Sequence, residues 1–150
     1  MKHLIAHRGN ITGKNIEKEN QPDYIDYAIE RGFDVEVDIW LADGGIYLGH
    51  DNPQYLIKES WIFERSEVLW IHCKNIQSLE YLTDKNSLNY FWHEEDTVTL
   101  TSKNFIWAFP GNQPIKNSIA VMPEIFNDDT DTCLGICSDD LIFHKDAWRL

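Results

Sequence analysis

Four polar islands punctuate the first third of this 150-residue chain: His7-Arg8-Gly9, Glu19-Asn20, Glu36-Val37-Asp38 and His50-Asp51. Each holds a group able to move a proton, hold a phosphate or bind a divalent cation. Two of them end apolar runs that read as buried strands, where an ionisable group without a partner is costly. Histidine, with an ordinary pKa of about 6.5, suits proton transfer at neutral pH. Arg8 offers a planar fork of donors to a phosphate, and Lys74, further along, offers a point charge.

Glu36 and Asp38 are the most telling pair. Residues two apart on a strand share a face, so their Cα atoms stand about 6.7 Å apart while Val35, Val37 and Ile39 take the opposite face. Two carboxylates on one face repel unless a cation lies between them, and Mg²⁺ and Ca²⁺ favour such oxygens. The competing reading is the solvated outer face of an edge strand. A later strand bears on the choice. Trp70, His72 and Lys74 share one of its faces, which puts a second polar pair at a strand's C-terminal end, where barrel sites gather. A lone strand histidine is more often a packing residue. Beside a lysine and next to an acidic strand, His72 becomes a candidate for the site.

The elements that must position these groups are legible from spacing. Leu4 to Ala6 is a short strand stopped by Gly9. Pro22 opens a helix carrying Ile25, Ala28 and Ile29, which Gly32 ends. Val35 to Ile39 alternates as a strand, Asp43-Gly44-Gly45 turns, and Ile46 to Gly49 returns. Strand, helix and strand in about forty residues make a βαβ-type unit with parallel strands. Further strands are expected at Val68 to Cys73, Tyr90 to His93, Thr97 to Thr101, Phe105 to Phe109, Ile119 to Met122 and Leu134 to Cys137, with a short helix at Ile76 to Leu82. The later connections are too short for full helices, and a complete (β/α)₈ barrel needs about 250 residues. The expected fold is a single α/β domain over residues 1–150, a compact, helix-poor or incomplete TIM-type barrel.

Asp and Glu exceed Lys and Arg by 25 to 13, a net charge of −12, which argues against a nucleic-acid backbone or an anionic membrane surface as partner. Any anionic substrate would need a cation and local Arg or Lys to reverse the sign within the pocket. Cys73, Cys133 and Cys137 make no disulfide framework or zinc pattern and are expected as reduced, structural thiols. No apolar run reaches transmembrane length and no signal peptide is legible, so a cytoplasmic location is expected.

In this order and spacing, Leu4 to Asp51 resembles the N-terminal region of the glycerophosphodiester phosphodiesterases, a TIM-barrel family. The resemblance implies an acid/base pair in His7 and His50, metal ligands in Glu36 and Asp38, a phosphate contact in Arg8 and a supporting role for Glu19 and Asn20. A later strand of that family ends Glu-x-Lys, its glutamate a third metal ligand; here it reads His72-Cys73-Lys74. Lys74 is kept as a substrate contact. His72 in place of a carboxylate shifts the expected ion from Mg²⁺ or Ca²⁺ toward Mn²⁺ or Zn²⁺. Alternatively, His72 contacts substrate.

The resemblance ends near residue 74. Beyond it, His93 is a candidate substrate contact and Glu124 a candidate supporting acid, both at strand ends. Glu94, Glu95, Asp139 and Asp140 lie in similar places, where any could supply the missing carboxylate, and Trp92 and Trp107 are candidates for the pocket wall, with core packing the commoner role for such residues. The expected function is metal-dependent hydrolysis of a small glycerophosphodiester-like substrate. The alternatives are an inactive phosphate- or metal-binding module and a lyase-type phospholipase. The latter would need an apolar loop or basic rim, for which an exposed Trp61 and Trp148 are the only hints. Sheet surface left bare by missing helices would also suit a homo-oligomer.

Overall fold

The computed structural model describes residues 2–147. Strand β1 (His3–His7) leads through a long loop to helix α1 (Pro22–Glu30) and strand β2 (Asp34–Ala42). A hairpin arm β3 (Gly45–Leu48) and strand β4 (Tyr55–Ile57) follow, then helix α2 (Glu59–Phe63), β5 (Leu69–Cys73), helix α3 (Ile76–Leu82) and β6 (Asn89–Trp92). The remainder is β7 (Val98–Leu100), β8 (Ile106–Ala108), β9 (Ser118–Val121), a 3₁₀ turn at Pro123–Ile125, β10 (Gly135–Ser138) and helix α4 (Leu141–Ala147). The expected βαβ unit is present, with β1 and β2 parallel. Missing from the sequence expectations are β4, α2 and α4, all short and lacking a sustained apolar period.

Seven strands run parallel in the order β6, β5, β2, β1, β10, β9, β8, and β7 adds antiparallel to β8. The C-terminal half of β2 extends beyond β1 and pairs antiparallel with β3, which carries β4. The sheet is strongly curled. Trp70 of β5 and Trp107 of β8 are far apart along the strand order, yet their rings lie 5.8 Å apart; His3 and Phe105 approach to 5.5 Å. Near the β6 edge, Ser102 N–H donates to Tyr90 O (2.8 Å) and Thr99 Oγ1 to Trp92 O (2.9 Å), drawing that edge toward the β7–β8 arm. The fold is therefore an α/β half-barrel built on a mixed sheet with few helices.

Both faces of the central strands are buried, which explains their nearly continuous apolar runs. On the convex face Val35, Val37, Leu69, Ile71 and Ile136 pack with Ile25 and Ala28 of α1, Leu82 of α3 and Leu141 of α4. The concave face is filled by Ile5, Trp70, Phe91, Trp107, Ile119, Val121 and Cys137. All three thiols are buried and unpaired. Trp61 is partly buried, with the Arg65 guanidinium 4.4 Å above its ring, which corrects the expectation of an exposed tryptophan; Trp148 lies outside the described residues. No helix among the described residues is long and apolar enough to cross a membrane.

Arg65 fastens α1 to α2. It meets Asp26 through two bonds (Nε–Oδ1 2.6 Å, Nη2–Oδ2 3.0 Å) and donates from Nη1 to Trp61 O at 2.8 Å. Arg65→Ala is expected to cost about 1–2 kcal/mol, the combined scale of a forked ion pair and a cation–π contact. Arg65→Lys should recover only part, since an ammonium cannot reproduce the fork. Urea unfolding of the three proteins measures both.

Candidate metal centre and its cavity

Strand register brings the site together. In the parallel ladders His7 lies opposite Glu36, and Asp38 opposite His72, so all four side chains share the concave face. Above the aromatic filling His7, Glu36 and His72 border a cavity of about 390 Å³ at the C-terminal ends of the parallel strands, and the fully buried Asp38 stands 3.1 Å from His72 without lining it. Arg8, His50, Lys74 and His93 also line it, with Trp92, Glu94, Trp107 and Phe109 in its wall. Glu36 and Asp38 are 3% and 0% exposed, which excludes the reading of a solvated outer face.

Glu36, Asp38 and His72 each bring one potential ligand atom to within 4.8 Å of the others, a group that could hold a metal ion. His72 Nδ1 stands 3.1 Å from Asp38 Oδ1 and 3.8 Å from Glu36 Oε1. Its other nitrogen, Nε2, lies 3.1 Å from the His93 carbonyl, which can only accept, so Nε2 carries the hydrogen. In the neutral ring Nδ1 is then a lone pair facing two carboxylates. Glu36 Oε2 and Asp38 Oδ1 are buried and receive no hydrogen bond from any described residue. Such orphaned acceptors are rare in folded proteins, and a cation among them would satisfy all three groups at once. The donor set fits a divalent ion.

The two carboxyls are shifted in opposite directions. Burial and the neighbouring Asp38 push the Glu36 carboxyl above its usual range. For Asp38 burial acts the same way, but in the metal-free chain the His72 ring, when Nδ1 carries a hydrogen that a metal would displace, outweighs it together with the Arg8 guanidinium and the Asn20 amide and holds the carboxyl down to about 2. Arg8 Nε lies 3.1 Å from Asp38 Oδ2, and Asn20 clasps Asp38 twice: Nδ2 donates to Oδ2 (2.8 Å), and Oδ1 accepts from the Asp38 amide (3.0 Å). Glu19 accepts from Arg8 Nη1 (3.1 Å) and from Asn10 Nδ2 (3.0 Å). Arg8 and Asn20 reach these partners from positive-φ backbone, at 55° and 64°. Non-glycine residues rarely adopt that conformation, and it concentrates at functional sites.

The two histidines are each tied to an acid. His7 Nδ1 lies 2.8 Å from Asp139 Oδ1, and its Nε2 lies 3.9 Å from Glu36 Oε2. Burial works against protonation of His7, but Asp139 and Glu36 outweigh it and push its pKa up. His50 Nδ1 bonds Asp51 Oδ1 at 2.7 Å, and burial together with the Arg8 charge pushes its pKa down. His50 depends on a tight turn. Gly49 has φ 153°, its amide donates to Asp38 O, its carbonyl accepts from Trp40 Nε1, and an added Cβ would fall 2.1 Å from Asn52 O. Gly49→Ala is expected to cost about 1–3 kcal/mol in backbone strain and to displace His50. Thermal unfolding measures the first effect and the NMR shifts of the His50 imidazole the second.

One expected site residue is elsewhere. Glu124 does not line the cavity, because it accepts from Ser138 Oγ (2.8 Å) and pairs with His144 Nε2 (3.0 Å), bonds that hold the 3₁₀ turn to β10 and α4. Asp139, one of several strand-end acids, is the partner of His7 rather than a metal ligand. Asn10 went unrecognised in the sequence. Its amide nitrogen donates to both Glu19 and Asp139, and its oxygen accepts from Tyr24 and the Asn15 amide. Its position directly after His-Arg-Gly is the only signal for it. Comparisons with family models, curated proteins and solved structures find no match to this chain.

Proposed function

We propose that this chain is a metal-dependent phosphodiesterase for small glycerophosphodiester-like substrates, on a helix-poor relative of the TIM-type barrel. The observation carrying this reading is the meeting of two kinds of group around one cavity. One is a ligand set of two carboxylates and an imidazole; the other is two histidines, each held by an acid. The motif resemblance over Leu4 to Asp51 supports the same reading.

Glu36, Asp38 and His72 would hold the ion, which when bound polarises a phosphoryl oxygen as a Lewis acid. Family resemblance favours Mg²⁺ or Ca²⁺, and the imidazole favours Mn²⁺ or Zn²⁺. Arg8 and Lys74 face the remaining anionic oxygens and counter the strongly acidic chain. A base removes the proton of the attacking hydroxyl, from water or from the substrate's own glycerol, as the new P–O bond forms. An acid protonates the leaving alkoxide as the ester P–O bond breaks. The opposed pKa directions of the metal-free chain, His7 raised and His50 lowered, are in the sense that would make His7 the acid and His50 the base.

A second reading draws on Arg8, whose guanidinium is already engaged by Asp38 and Glu19. With Nε and Nη1 spent on those carboxylates, Arg8 has less of its fork to offer a reacting phosphate, which favours a phosphate- or metal-binding module without turnover. A phosphodiester panel assayed with Mg²⁺, Ca²⁺, Mn²⁺ and Zn²⁺ after chelator treatment separates the readings. Metal-restored hydrolysis supports the enzyme, metal binding with no product supports the module, and a cyclic phosphate in the ³¹P spectrum identifies a lyase.

A further inference from the structure

We infer that His93 is a positioning residue for His72, and that the atom His72 offers a metal is Nδ1. This rests on the metal-centre reading above and names the part of the fold that enforces it. A histidine at a strand end can turn either nitrogen toward a ligand. Here the ring is held on two sides: Phe91 stacks on it (centroids 5.0 Å, planes 12° apart), and the main-chain carbonyl of His93 takes the Nε2 hydrogen at 3.1 Å. What remains is Nδ1, aimed between Glu36 and Asp38.

That carbonyl is only as fixed as the chain carrying it. The His93 ring lies flat on Phe109 (centroids 3.5 Å, planes 21° apart), and the Phe109 amide donates to Thr97 O at 3.1 Å, which closes the 93–97 turn against β8. The His93 side chain is 8% exposed, and its Nδ1 is buried with no hydrogen-bond partner among the described residues, 3.5 Å from Asp96 Oδ2. The ring thus acts through its flat face, as a wedge between β6 and β8, and an aromatic ring without nitrogens would serve equally. His93 moves from the substrate contact expected from sequence to support of the metal ligand, the arrangement by which a carbonyl commonly orients a ligating imidazole.

Two measurements on the whole chain test this. Nitrogen-15 NMR of the His72 imidazole, with and without Zn²⁺, should show hydrogen on Nε2 in the loaded protein and zinc on Nδ1. Zn²⁺ calorimetry, with an Asp38→Asn chain as the blank, should find His93→Ala about tenfold weaker than the parent, within the range for loss of outer-shell support. His93→Phe, which keeps the ring on Phe109, should bind as the parent does. Zinc on Nε2, an unweakened His93→Ala, or a His93→Phe as weak as the alanine variant would each overturn the inference alone. The NMR result stands even where a variant fails to fold. A parent chain that binds no Zn²⁺ would overturn the metal-centre reading and this inference together.

Discussion

Glu36→Gln is expected to abolish tight metal binding while making the metal-free protein more stable. Burial and Asp38 push the Glu36 carboxyl up, so the metal-free fold is penalised increasingly as pH rises through that folded-state value. The amide removes that charge at little change in shape. A gain of about 0.5–2 kcal/mol in stability is the usual scale for relieving such a site. Metal affinity should fall about 10²-fold or more, beyond the scale for outer-shell changes. Asp38→Ala should lose binding as well, but with the opposite effect on stability. It strips Arg8, Asn20 and His72 of a shared buried partner, a loss on the order of 3–5 kcal/mol. Calorimetric metal titration and thermal unfolding of both variants read the four signs. A Glu36→Gln chain that binds metal like the parent would remove Glu36 from the ligand set.

His7→Ala and His50→Ala should each lower turnover by about 10²- to 10⁴-fold, the scale for losing a general acid or base. Both residues sit at the rim of the concave face rather than in its aromatic filling, so both variants should fold. Asp139→Asn should act through His7. With the carboxylate gone, the imidazolium loses its main support, and the limb of the pH–rate profile assigned to the acid should move to lower pH. Full turnover in either alanine variant would take that histidine out of the mechanism.

Much of this site was legible because it sits on period-two strands. Alternation puts Glu36 with Asp38 on one face of β2 and His72 with Lys74 on one face of β5, strand register makes those faces one, and His7 and His50 were singled out through the motif series and the resemblance it carries. The limits of that reading are also physical. Which strands become neighbours is set by closure of the sheet, and nothing local in Leu134 to Asp139 announces that β10 will lie beside β1. The Asp139–His7 pair therefore spans 132 residues and could not be chosen from among the strand-end acids. In sequence Glu124 is a better candidate than Asp139. A positive-φ Met122 and a 3₁₀ turn take it to His144 instead. Asn10 and the His93 carbonyl matter through hydrogen bonds that no pattern of residue types encodes. The fold followed the same division. The first βαβ unit could be read from caps and periodicity, whereas α2, at five residues, is too short to leave a period, and α4 opens on three consecutive apolar residues, Leu141 to Phe143, rather than on a helical spacing.

The most direct test of the account is stepwise metal reconstitution of chelator-treated protein, with phosphodiester turnover followed in the same sample. The account expects turnover to be absent without metal, to rise in proportion to bound ion, and to saturate at about one ion per chain, with Asp38→Asn silent throughout. Turnover that persists in the metal-free chain, or that returns in Asp38→Asn, would contradict it.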